Sequence, residues 1–490
     1  GTLMPTLNRG SEFRIGRFSP GYICTHRRLP QLKSLLHRLL KLTLITDRCP
    51  TSVWKQTMAV FISLFLPLAF SIYAFILLSE FKNTSRTAMK KLVNFTTAIL
   101  TLFASNIVFS HGVIPVSEPA DKDRLIQFPD TKKYKTIVLD PHTHSTFSDG
   151  EVWPTIRIGE ALKDGLDAIA ITEHLEWQPH LADIPHPDRN RAYNIALKAN
   201  GKNDLIVIPG SEITRNAPAS HINALFISDA NKLIRNFEPK DPSDTRAYYN
   251  AASKWPPQEV VNAANEQGAF LFWNHAWWGQ DFPNGIPIVP EFHISNAKNK
   301  LIHGIEIANG GSYSEEAFQI GLDLGLTLMG VSDVHGLIDW DYSPDEGGHR
   351  PVTLVLAKSR SQASVREALF DGRTVVWFKN LLVGHREHMD ELLSASLDVT
   401  NASYSGKSKV LSMEIKNVSD VNFQLKNKTD YTFIGDADIL EIKQHETSEI
   451  RVKTGTRRKR IDLQFEVLNA LVKPKQHAEV YLGSKIRVLN

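Results

Sequence analysis

Nine side chains of metal-ligand type stand at the ends of short apolar runs. They come as His142-Thr-His144, Ser148-Asp149-Gly150, Thr172-Glu173-His174, Gly210-Ser211-Glu212, a lone His221, Phe272-Trp273-Asn274-His275 and Ser332-Asp333-Val334-His335. Imidazole and carboxylate donors in this mixture suit divalent Mn, Fe or Zn better than Mg or Ca, whose shells are all oxygen. Taken singly, each has an ordinary explanation: a satisfied core histidine, a helix cap, or an Asp before Gly in a turn. Taken jointly they do not. Six His and three carboxylates brought to one place without partners would cost several kcal/mol. A shared metal centre removes that cost and supplies the means to activate water for hydrolysis.

Such a centre needs elements that carry distant residues to one point. The apolar runs Thr136–Leu139, Ala168–Ile171, Leu205–Ile208, Ile222–Ile227, Ala269–Trp273, Gly304–Ile307 and Leu326–Val331 are β-branched and apolar on both faces, as buried parallel strands are. Thr155–Asp164, Pro257–Gln267 and Tyr313–Leu324 read as amphipathic helices between them. Seven strands in strand–helix alternation predict an α/β barrel, whose strand ends share one mouth. Two inserts, 176–200 and 229–256, are rich in Pro, Asp, Asn and His and are expected to cap one end. Residues two apart in an extended segment share a face, so His142 with His144, and Asp333 with His335, can enter the same cavity. Past residue 385 the period becomes two: Leu411–Ile415, Glu449–Val452 and Ile461–Val467 alternate apolar with polar. Residues 391–490 are therefore expected to form a small β-sandwich. The basic run Thr454–Arg460 reads as a solvated hairpin loop rather than a phosphate patch.

A length of 490 residues suggests two domains and an N-terminal segment, and 42% hydrophobic with 22% charged residues is a globular composition. The net charge of +3 averages two unlike parts. Residues 1–88 hold twelve Lys or Arg against three acids, so the remainder is acidic by six charges. A basic nucleic-acid footprint is missing from the body. Both cysteines, Cys24 and Cys49, lie in the first segment, which excludes thiol chemistry and disulfides from the body. Within that segment 58–79 is long and apolar enough to span a bilayer. Met89, Lys90-Lys91, the apolar stretch to Phe109 and Ser110 then follow the layout of a secretory signal peptide over 89–110. The expected organisation is a basic segment 1–88 outside the mature protein, a signal peptide, a barrel over 111–385 and the sandwich. Such a protein is exported, periplasmic or secreted, with no stable membrane anchor. The alternative is an anchor through 58–79.

The run His142-x-His144-x4-Asp149-Gly150, Thr-Glu-His174, Glu212, His221, His275 and Ser-Asp333-x-His335 resembles the PHP (polymerase and histidinol phosphatase) family over residues 136–380. The resemblance implies an α/β fold, a distorted (β/α)7 barrel, and phosphoesterase activity at three divalent ions per chain. It divides the ligands into His142, His144, Glu212 and Asp333 for one ion; bridging Glu212 with His221 and His275 for a second; and Asp149, His174 and His335 for a third. Glu173, where the family often has Asp, is expected to orient a ligand His. With a signal peptide and a C-terminal β domain, and with Gly347–Thr353 and Asp188–Arg191, the chain resembles the exported bacterial branch acting on small organophosphate diesters. The expected mechanism is attack by a hydroxide bridging two ions, with Glu212, His221, Asp333 and His335 as its catalytic residues. Arg215, Arg350 and Trp277 are the candidate substrate contacts. Arg189 and Arg191 are further candidate cations, and Trp177, Trp273 and Trp278 a candidate aromatic wall. The expected partner is a small phosphate ester rather than nucleic acid. Competing readings are a phosphomonoesterase on histidinol, sugar or nucleotide phosphate, an exonuclease, and a non-catalytic metal-binding surface protein.

Overall fold

The computed structural model describes residues 124–235, 240–279 and 281–488. The basic segment 1–88, its apolar stretch 58–79 and the signal-like segment 89–110 lie outside these residues. No helix among the described residues is long and apolar enough to cross a membrane.

All seven expected strands form. In chain order the first three are β1 (Lys135–Asp140), β2 (Ala168–Ile171) and β3 (Ile206–Thr214). Next come β4 (His221–Leu225), β5 (Phe270–Trp273) and β6 (Gly304–Asn309). A two-residue strand β7 (Ser312–Tyr313) precedes β8 (Thr327–Val331). Their buried faces explain the unbroken apolar runs: every residue of β2, β4, β5 and β8 is buried. One expectation fails. β4 is not parallel to its neighbours but antiparallel to both β3 and β5. β3 runs on to Thr214, so only residues 215–220 remain before β4, and a parallel crossover needs a dozen or more.

Nine helices are described: α1 (Pro154–Lys163), α2 (Arg191–Asn200), α3 (Thr245–Ala252), α4 (Pro257–Glu266), α5 (Glu291–Lys298), α6 (Glu315–Leu324), α7 (Ile338–Tyr342), α8 (Gln362–Phe370) and α9 (Arg386–Ser396). α6 shows why a helix lies there. Ser314 caps its N-terminus by accepting from the Ala317 amide at 3.1 Å, and Gly325 ends it at a positive φ of 63°. The insert expected to cap the barrel over 176–200 ends in α2, which packs on the outer wall against β2, β3 and α1.

Two strands not foreseen, β9 (Val352–Ala357) and β10 (Thr374–Phe378), are antiparallel to each other, and β9 runs antiparallel along β1. Beyond the C-terminal ends of β1 and β8 a parallel bridge joins Thr143 to Val334. That bridge sets the His142–His144 segment directly beside Asp333–His335.

After β11 (Leu381–Gly384) and α9, the chain builds a two-sheet sandwich from β12 (Leu397–Tyr404), β13 (Val410–Asn417), β14 (Phe423–Asn427), β15 (Thr432–Phe433), β16 (Ile439–Ile442), β17 (Thr447–Lys453), β18 (Arg460–Lys473), β19 (Gln476–Lys485) and β20 (Arg487–Val488). The sandwich starts at Leu397, since 391–396 complete α9. Its alternating strands face Leu411, Met413, Ile415, Phe423, Leu425, Phe465 and Val467 inward, all fully buried. β18 pairs in parallel with β11, so one of its sheets continues into the barrel wall, and one apolar cluster runs through both parts. Residues 455–460 are exposed, the solvated loop that the sequence suggests.

Candidate metal centre

Barrel topology brings all nine ligand-type residues to one mouth. Glu212, near the end of β3 and fully buried, sits at its centre. Its Oε2 lies 3.2 Å from Nε2 of both His142 and His144, and 2.9 Å from Nδ1 of His174. Its Oε1 lies 2.8 Å from His221 Nδ1 and 3.8 Å from His275 Nε2. Asp333 Oδ1 is 3.1 Å from the same two Nε2 atoms of His142 and His144. Asp149 Oδ1 faces His335 Nε2 at 3.2 Å and His174 Nε2 at 3.4 Å. The reversed direction of β4 decides this arrangement. In a parallel strand His221 would open at the opposite end, whereas here it pairs in register with Thr214.

Hydrogen bonding fixes what these nitrogens offer. His142 Nδ1 donates to Glu306 Oε1 at 2.7 Å. Ser148 Oγ, whose proton goes to Glu173 at 2.6 Å, accepts from His144 Nδ1 at 3.2 Å. His335 Nδ1 donates to the carbonyl of Asp333 at 2.8 Å. With Nδ1 engaged, each ring turns Nε2 into the cavity as the nitrogen that would meet an ion. His142 and His144 Nε2 stand 2.9 Å apart, facing carboxylate oxygens that have lone pairs of their own. Asp149 Oδ1 and Asp333 Oδ1 are buried without any hydrogen-bond donor. Converging lone pairs repel unless protons or cations lie between them, and buried acceptors are seldom left unmet. The donor set fits divalent metal ions. Three overlapping groups of donor atoms meet the spacing for an ion: His142, His144 and Asp333; His174, Glu212 and His221; and His144, Asp149, His174 and His335. His144 and His174 thus each belong to two groups, and His275 stands further out than the sequence division has it.

The electrostatics of the metal-free protein record the same crowding. Burial opposes the charged form of His142, but the carboxylates of Asp333, Glu212 and Glu306 outweigh it and push the imidazole well above its usual value. His174 is raised against burial by Glu212 and Asp149. Burial works against ionisation of Glu212 too, yet His174, His142 and His221 hold it far below the usual carboxylate range. Asp149 and Asp333 are depressed in the same manner by their imidazole neighbours. Burial alone dominates at His221 and lowers it.

Supporting residues hold these groups, several of them missed in the sequence. Glu306, fully buried on β6, accepts from His142 Nδ1, from the His275 amide at 2.6 Å and from Asn309 at 2.9 Å. A charged residue inside Gly-Ile-Glu-Ile was the available signal. Glu173 is not turned to the donor cluster. It accepts from the Ser145 amide and from Ser148, and so reaches His144 through a hydroxyl. Buried Arg157 spans the carbonyls of His144 and His335 at 2.7 and 2.8 Å, clamping two ligand segments. Asp333 and His275 hold positive φ values of 50° and 24°, strained conformations at candidate ligand positions.

The expected substrate cations are placed differently. Arg350 is fully buried, with Nη1 on Asp140 at 3.0 Å and Nη2 on Asp164 at 2.6 Å. Asp140 in turn accepts from the Ser332 hydroxyl at 2.7 Å. Arg350 is thus a counter-ion beneath the site and cannot reach a substrate. Arg215 is buried against Glu176 and is equally committed. Arg189 bonds His186 and Tyr248, and Arg191 lies over Phe147. Trp273 is core, stacked on His293 at 4.0 Å. Trp277 does line the mouth. A cavity of about 600 Å³ opens above Asp149, His174, His221 and His335, walled by Trp177, Tyr249, Trp277 and Trp278. Its cation is Arg246, from the insert helix α3, lying over Trp177 and Tyr249 at 5.5 and 5.7 Å.

This fold and site define a metal-dependent hydrolase of the barrel type, and comparison with known proteins assigns the family. A two-domain protein from Bacteroides vulgatus, described as containing a predicted PHP-like metal-dependent phosphoesterase, is 36% identical with a TM-score of 0.64. The match covers 74% of this chain and all of that one. The chain belongs to this family of PHP-like metal-dependent phosphoesterases. More distant matches include an amidohydrolase from Chromobacterium violaceum (17% identity, TM-score 0.29, 40% of this chain and 87% of that one) and a lesion-specific endonuclease from Pyrococcus furiosus (16%, 0.30, 55% and 62%). Residues 397–482 match an Ig-like domain family, DUF5001. No curated protein matches the chain.

Proposed function

We propose that the chain is an exported phosphodiesterase that hydrolyses small organic phosphate diesters at a centre of three divalent ions, Mn, Fe or Zn. The observation that carries the diester reading is the charge inventory of the mouth. A phosphoryl dianion calls for an Arg fork, but Arg215 and Arg350 are consumed in buried ion pairs. One guanidinium, Arg246, remains among the described residues lining the cavity, matched to a monoanionic diester. The aromatic walls suit an apolar or planar ester group. The three overlapping donor groups support the count of three ions. Export rests on the signal-like layout of residues 89–110.

His142, His144, Asp149, His174, Glu212, His221, His275, Asp333 and His335 would hold the ions. When bound, these supply Lewis acidity towards the phosphoryl oxygens and lower the pKa of water. The chain's own part is orientation. Glu306, Ser148 and the Asp333 carbonyl engage Nδ1 of His142, His144 and His335 and so hold Nε2 of each aimed inward. Arg246 holds the diester anion at the mouth, and the tryptophans exclude water around one ester group. Outside the ligand set no carboxylic acid lines this cavity among the described residues. Little help is therefore offered to a poor leaving group, and phenols should be preferred.

Metal-loaded protein should hydrolyse bis(p-nitrophenyl) phosphate faster than p-nitrophenyl phosphate, and carry three ions by elemental analysis. His142→Ala or Asp333→Ala should lower the count and abolish turnover. Faster monoester hydrolysis would reverse the substrate assignment.

A further inference from the structure

A second cavity, of about 920 Å³, adjoins the first. Asn309, Asp333 and His335 line both, so the donor cluster stands at the junction of two lobes. The first lobe is aromatic. The second is built jointly by the barrel and the Ig-like domain, which contributes Asp420, Asn422 and Gln444.

We propose that this second lobe binds the other ester group of the diester, and that this group is uncharged and rich in hydroxyls, a sugar or polyol. The proposal rests on the phosphodiesterase reading above and extends it to a substrate class.

Charge excludes a second anion. Of the two basic side chains lining the lobe, Arg124 is buried and paired with Asp164 and Asp339 at 2.5 Å each. Lys379 alone is exposed, against the carboxylates of Glu151, Asp341 and Asp420. The field disfavours phosphate or nucleic-acid backbone. The rim carries Trp340, 73% exposed, a ring face that the protein itself leaves uncovered. An exposed aromatic face beside amide and carboxylate groups can stack on the C–H face of a sugar while the polar groups meet its hydroxyls.

The lobe is also preformed. Asn380, in the β10–β11 turn, donates to the Asn422 carbonyl and accepts from the Asn422 amide, both at 2.9 Å. Asn469 donates to the carbonyls of Asn380 and Asn422 at 2.8 and 3.0 Å. With β11 paired to β18, these bonds fix the Ig-like residues against the barrel mouth, so binding need not order the wall. On this reading the Ig-like domain is part of the substrate site.

Two variants leave the donor cluster untouched. Trp340→Ala removes the stacking face. Gly311→Phe fills the lobe: a Cβ there meets nothing within 4 Å, and no positive φ opposes the change. The substrates are methyl p-nitrophenyl phosphate and glucosyl p-nitrophenyl phosphate, compared on the metal-loaded full chain. Wild type should show the lower KM for the glucosyl diester. Each variant should raise that KM about 5-fold or more, with the methyl diester unchanged. Equal KM values in wild type, or variants that affect both substrates alike, overturn the proposal. Saturation-transfer NMR with methyl α-glucoside separates it from the parent reading. Transfer in wild type that is lost in Gly311→Phe supports a sugar lobe even if neither diester is cleaved, and no transfer refutes it.

Discussion

Glu306 offers a sharp test of how the proposed centre is held, because it touches the candidate metal ligands without being one of them. Replacing it with Gln keeps shape and volume but leaves one oxygen where two accept. If the amide nitrogen takes the Oε1 position, it meets the N–H of His142 Nδ1, now 2.7 Å away. The ring must then move its proton to Nε2, destroying the lone pair that faces Glu212 and Asp333. If the nitrogen takes the Oε2 position, it meets the His275 amide at 2.6 Å and Asn309 at 2.9 Å, donor against donor. The first arrangement removes the nitrogen lone pair that would meet an ion, and the second leaves a buried donor unmet; each costs about 1–3 kcal/mol. At about 1.4 kcal/mol per decade this is roughly a 5- to 150-fold loss of metal affinity, in the range typical of outer-shell partners. The assay is calorimetric titration of the metal-free variant with Mn or Zn, followed by turnover at limiting and saturating metal. Affinity should drop by that factor, and saturating metal should restore part of kcat. Unchanged affinity in Glu306→Gln would refute the claim that this carboxylate sets the His142 tautomer.

The arginines should separate by role. Arg246→Met should raise KM for bis(p-nitrophenyl) phosphate about 10-fold with unfolding unaffected, the result of losing one charged contact at a wet mouth. Arg350→Met should instead destabilise the fold by about 3–5 kcal/mol in denaturant titration, since Asp140 and Asp164 lose a buried counter-ion. A stability dependence on pH should come from His293, buried on Trp273 and pushed down to about 3. Above the unfolded value of about 6.5 both states are neutral and stability is full; as pH falls towards 3 the unfolded chain takes the proton first, and stability falls by about 1.4 kcal/mol per pH unit. His293→Gln should flatten the urea-unfolding profile between those limits relative to wild type.

The identity of the donors was legible in the sequence because strand ends carry their own signature: an apolar run closing on His, Asp or Glu. The seven runs and the period change beyond residue 385 were legible for a similar reason, since burial on two faces or one leaves a distinct pattern. Local pattern does not determine strand direction, pairing across domains, or which charges neutralise one another. The reversal of β4 follows from how far β3 extends, and it places His221 beside Glu212. Glu306 reads as one acid in an apolar strand until β6 is set behind His142. Arg350 and Arg246 are both arginines near polar runs, yet the first is enclosed by Asp140 and Asp164 while the second lies on tryptophan at the cavity mouth. Sequence determined which metal-donor types the chain carries, because residue type and short spacing are local properties. Tertiary structure alone decided which charges face the cavity and that the Ig-like domain walls the second lobe, because burial and ion pairing arise between segments hundreds of residues apart.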